Sequence, residues 1–135
     1  MSFTGKQGMS PKEVRKISAV TITNLRTGKV IGTRVAVAHS FWLRFRGLMG
    51  TSVLPVGQGM LFPHTNSIHM FFMKYPLCIA YLTKDFRVLR QIVLNPWQIG
   101  PVVRKAYWVL ELPQDLQDMI ATGDLLHIEK SILSI

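Results

Sequence analysis

The sequence predicts an α+β domain that is predominantly β, with a curved or barrel-like sheet built from hairpins and two short helices. Three observations predict it. Short runs rich in β-branched and aromatic residues recur along the chain, as in "AVTIT", "LCIAYL" and "YWVLEL". Turn chemistry separates some of these runs by only a few residues, which implies hairpins. Apolar residues at three-four spacing occur in two places, both short.

Residues 1–16 are polar and without period, so they are expected to form a flexible arm, with one β-rich domain over residues 17–135. "SAVTITNLRTGKVIGTRVAVA" alternates apolar and polar residues about a turn at Thr27 and Gly28. It reads as a hairpin with Val20 and Ile22 facing inward on one strand and Ile31, Val35 and Val37 on the other. In "HSFWLRFRGLMG", Ser40 can cap a helix that buries Phe41, Phe45, Leu48 and Met49 and leaves Arg44 and Arg46 off that face. Gly47 marks its end or a close backbone approach. Pro55, Gly57 and Gly59 make a loop that leads into a short strand at 60–62.

"HTNSIHMFFMKYPL" follows. As a strand over 66–74 it puts Ser67, His69, Phe71 and Met73 on one side and Ile68, Met70, Phe72 and Lys74 on the other. Both sides are mostly apolar, so a buried strand is expected, ended by Pro76. "LCIAYLTKDFRVLRQIVL" reads as a second hairpin about Lys84 and Asp85, "NPWQIGPVVRK" as a loop and "AYWVLELP" as a strand. Leu116, Met119 and Ile120 have helical spacing with Gly123 as a stop, and "LLHIEKSILSI" closes the domain as a strand.

A chain of 135 residues with 48% hydrophobic content has room for one domain with a proper core. No apolar run approaches the roughly 20 residues of a membrane span, and the first twenty residues hold no secretory h-region. The expected compartment is the cytoplasm. The single cysteine, Cys78, closes no intrachain disulfide and is expected to pack as a small hydrophobe. A net charge of +9 can attract nucleic acid or an acidic partner, but the cations are spread along the chain without the compact aromatic and basic block of a single-strand binder.

Few residue patterns point to chemistry. His64 and His69 are five residues apart and fall on opposite sides of a regular strand, Cys78 and His127 join them only through tertiary structure, and neither CxxC nor HExxH occurs. No metal is expected. Nor is a cofactor, because there is no glycine-rich phosphate loop. Cys78 with His69 is the one nucleophile and base pairing available, and its mid-strand position argues for burial instead. Seven acidic residues supply a two-carboxylate site poorly, so an enzyme is not the favoured reading. Lys74 and Glu111 each interrupt or end an apolar strand, where a charge needs a partner. With Arg46 they can form an ion-pair network, or line a pocket in which Arg46 and Lys74 hold an anionic ligand and Glu111 orients it.

The segments "RFRGLMG", "GMLF", "NSIHMFFMKYPL", "LNPWQIGP" and "VLELP" followed by "GD" occur in an order that resembles the domain-of-unknown-function 192 family, small bacterial and archaeal proteins with no established activity. The likeness covers roughly residues 21–128. It implies a compact β-rich fold and a cluster made by Arg46, Gly47, Leu48, Met49, Phe72, Met73, Lys74 and Glu111. Two departures stand out. Cys78 replaces the Asp that typically follows Pro-Leu in the family, and "TKDFRV" stands where Asp-Gly is often found, so an activity needing that Asp is not expected. Together these readings favour a small polar or anionic ligand bound through Arg46, His69, Lys74 and Glu111. The rivals are a basic interaction module for nucleic acid or an acidic protein, and an enzyme of unknown reaction.

Overall fold

The computed structural model of the protein describes residues 8–38 and 54–132. Strands β1 (Ala19–Asn24) and β2 (Lys29–Val37) form the first hairpin. Gly28 takes φ of 72° at its turn, the left-handed region open to glycine, and its N–H donates to the Asn24 carbonyl at 2.8 Å. Val20, Ile22, Ile31, Val35 and Val37 are all buried, as their alternation predicts. Strand β3 (Gln58–Pro63) pairs parallel to β2, and β4 (Leu77–Leu82) and β5 (Val88–Leu94) form the second hairpin. Strand β6 (Trp108–Pro113) fits antiparallel between β3 and β4, and β7 (Leu126–Lys130) pairs with β1.

The seven strands make one sheet in the order β5-β4-β6-β3-β2-β1-β7. It curls into a half-barrel. The edge strands β5 and β7 approach at one end, where the Val88 N–H donates to Asp124 O at 2.8 Å and the Leu126 N–H to Phe86 O at 3.0 Å. Strand alternation then sorts two apolar layers. Trp108, Leu110 and Leu112 of β6 join Val20, Leu61, Ala80 and Ile128 in the inner layer. Val109 joins Met60, Phe62, Ile79 and Tyr81 in the outer one. Cys78 is wholly buried in the inner layer, where desolvation pushes its thiol up to about 11.

Three expectations read differently in the structure. Residues 66–74 form a loop, not a buried strand, with a lone bridge between His69 and Ile99. Met70 and Met73, three residues apart, are both buried while Phe72 between them is exposed, a pattern that no two-residue alternation can produce. The C-terminal helix is a 3-10 helix, Gln114–Met119, and Leu116 and Met119 pack on the inner layer at the three-residue spacing natural to that form. Residues 8–16, placed by sequence in an arm, lie on the domain. Helix α1 (Pro11–Val14) has a Ser10 and Glu13 capping box, Val14 is fully buried in the inner layer, and the Met9 N–H donates to Ile128 O at 2.8 Å. The helix expected from Ser40 lies outside the described residues.

Candidate functional site

Alternation along β6 puts Glu111 on the outer side of the sheet, the side of Val109. Its register partners are Met60 of β3 and Ile79 of β4, and it has no solvent exposure. A carboxylate thus stands inside an apolar layer. The loop 64–76 covers this layer with Met70, Met73 and Tyr75, carrying His69 half-buried and Lys74 exposed.

That loop is tied to a second one, 95–103, by backbone bonds. The Met70 N–H donates to Gln98 O at 2.7 Å, the Trp97 N–H to Met70 O at 2.8 Å, the Gly100 N–H to Ile68 O at 2.7 Å and the Val103 N–H to Asn66 O at 2.9 Å. Ser67 Oγ adds a bond to Gly100 O at 3.3 Å, and the Tyr81 hydroxyl donates from the sheet to Pro101 O at 2.9 Å. His69 Nδ1 accepts the Phe71 N–H at 3.3 Å, which orients its ring 4.4 Å from that of Phe71.

The structure therefore gathers His69, Phe72, Met73 and Lys74 in a loop over the face that holds Glu111, although Lys74 and Glu111 form no ion pair with each other among the described residues. Arg46, Gly47, Leu48 and Met49 lie outside those residues. Sequence reasoning missed Trp97. Trp97 as a residue is 60% exposed, and its ring meets that of Phe72, a residue 51% exposed, edge-on at 4.9 Å. Both residues hold positive φ, 69° and 67°, unusual for aromatic side chains. The available signal was an aromatic residue inside a Pro/Gly loop, a place that favours the surface.

The carboxylates are unevenly placed among the described residues. Segments 64–76 and 95–107 contain Lys74, Arg104 and Lys105, all exposed, with His64 and His69, and no Asp or Glu. Apart from Glu111, the acids lie in α1, the β4–β5 turn, the 3-10 helix, the approach to β7 and β7 itself. There, Asp124 accepts from Arg26 Nε at 2.6 Å, Asn24 Nδ2 at 2.8 Å and the Ala121 N–H at 2.8 Å. Among the described residues no group of His, Cys, Asp or Glu is arranged to hold a metal ion, and no helix is long and apolar enough to cross a membrane.

The sequence profile of the domain-of-unknown-function 192 family, described as "Uncharacterized ACR", matches residues 22–128. The chain belongs to the domain-of-unknown-function 192 family. This family member is 30% identical over 103 residues to a UPF0127 protein of Thermococcus sibiricus, an alignment covering 73% of this chain and 67% of the relative. It is 28% identical over 118 residues to one of Pyrococcus furiosus, covering 81% and 98%. Its half-barrel is similar to the crystal structure of a protein of unknown function from Novosphingobium aromaticivorans, with a TM-score of 0.64 and 27% identity over 81% of this chain and 83% of that one. A Sinorhizobium meliloti structure shares the fold at a TM-score of 0.64 and 22% identity, over 83% and 96%.

Proposed function

We propose that this protein is a non-enzymatic binding domain that takes a small anionic ligand at the paired loops 64–76 and 95–107, on the outer side of its sheet. The observation that carries this reading is the absence of acids: those loops expose Lys74, Arg104 and Lys105 and contain no carboxylate. A cationic surface without competing acids raises the local concentration of anions. In this reading Lys74 and Arg46 hold the anion, His69 donates at the rim, and Glu111 orients the ligand. Arg46 enters on the family motif alone. Against catalysis by a Cys78 and His69 pair stands their placement: Cys78 belongs to the inner layer, whereas the loop of His69 covers the outer one.

Thermal unfolding against phosphates, nucleotides, sugars, divalent metals and short oligonucleotides, at low and high salt, tests the reading. An anion at about 100 times its dissociation constant should stabilise by roughly 2.7 kcal/mol. Lys74→Met changes an exposed residue, so ligand-free stability should stay within about 0.5 kcal/mol. Its affinity for the anion should fall about tenfold, the scale of one charge-assisted hydrogen bond. Failure of every anion to raise the midpoint, or full binding by the variant, would overturn the reading.

A further inference from the structure

We infer that the anion is a nucleotide unit, its base stacked in the corner between Trp97 and Phe72 and its phosphate met by Lys74, two residues from Phe72; this rests on the anion-binding reading above. Of the eight large apolar side chains left exposed among the described residues, Phe72, Trp97, Ile99 and Val102 all belong to the two paired loops. Apolar exposure is therefore concentrated where the carboxylates are absent. Scattered single residues need no explanation, but a grouped set marks an interaction surface.

The geometry of the pair narrows the ligand. The two rings stand at 61° with centroids 4.9 Å apart, so they form a corner and not a flat stack. Such a corner offers a planar guest one ring face to stack on and a second ring beside it. Both residues take backbone conformations that L side chains rarely adopt, within bonded turns: Trp97 N–H donates to Met70 O across the loops, and Met73 N–H to Met70 O closes the turn that carries Phe72. The rings are thus kept at the surface next to a buried layer that includes Met70 and Met73. A guest that is planar on one part and anionic on another matches both features, and a nucleobase joined to phosphate is that chemistry. Free nucleotides and unpaired nucleic acid both supply it.

The test uses the full chain, with binding measured by calorimetry and Trp fluorescence. The probes are AMP, ribose 5-phosphate, an oligoadenylate at low and high salt, and phosphatidylserine vesicles. AMP or the oligoadenylate should bind about tenfold or more tighter than ribose 5-phosphate and quench the exposed indole. Trp97→Ala should lose about tenfold in affinity at an unchanged melting midpoint, while Trp97→Phe should keep most of the affinity and lose the quench. Comparable affinity for AMP and the oligoadenylate identifies a free nucleotide as the source. A much tighter oligoadenylate complex that weakens steeply with salt identifies single-stranded nucleic acid. Equal binding of ribose 5-phosphate and AMP, or full binding by Trp97→Ala, would overturn the stacking and leave the anion site standing. Binding to vesicles alone would reassign the corner to a membrane surface and overturn the inference, and silence from every probe would overturn both readings.

Discussion

Asp124 shows how a buried charge is kept at a price in partners. It is 4% exposed, yet the Arg26 guanidinium holds its carboxyl down at about 2, helped by the Ala121 N–H and the Asn24 amide. Its folded value lies below the ordinary 3.8, so the stability it contributes is complete above pH 4 to 5 and is lost as the pH falls through about 2. Asp124→Ala removes one of two acceptors of the buried Asn24 amide and the ion-pair partner of Arg26, and should cost about 2–3 kcal/mol at neutral pH by denaturant unfolding. The variant should also lose less stability than the parent between pH 4 and 2. An equal acid response in both proteins would remove Asp124 from that account. Glu111 is the other buried carboxylate, beside Met60 and Ile79 in the layer beneath the candidate site.

Among the elements, the β3–β6 pairing fixes where Glu111 sits, and it depends on a glycine. A Cβ at Gly59 would run into the Glu111 carbonyl and lie 2.9 Å from Leu112 Cδ2, so β6 would have to move away from β3. Gly59→Ala should therefore destabilise by about 1–3 kcal/mol, read as a lowered denaturant midpoint. A neutral result would mean that the two strands are not closely held. Both hairpins were legible because each is written in adjacent residues: alternation on two arms and turn chemistry between them. The loop 66–74 was misread as a strand for a related reason. Its composition suits a strand, and what makes it a loop is its bonding to 95–103, some thirty residues away, which no local pattern reveals.

At the scale of the whole molecule, the half-barrel is closed at one end by bonds between β5 and the approach to β7. Val88 and Leu126, on either side of that closure, belong to the same inner layer as Trp108 and Leu110. Their amides should exchange hydrogen as slowly as those of β4 and β6, by opening of the whole domain. Exchange as fast as in the loop 95–103 would show the closure to be a separate, weaker unit. The same closure keeps Arg26 and Asp124 at one end, while the exposed Phe72, Trp97 and Lys74 belong to the loops over the outer layer.

By itself the sequence determined the β-rich class, both hairpins, the burial of Cys78, the family, and Lys74, His69 and Glu111 as polar residues set in apolar runs. These follow from short-range alternation, turn residues and ordered motifs, all readable within a few neighbours. Tertiary structure alone decided that Glu111 faces the outer layer, that two distant loops meet above it, and that Trp97 and Phe72 form an exposed corner. Each of these depends on contacts between residues far apart in the chain, whose pairing is chosen by the packing of the whole core.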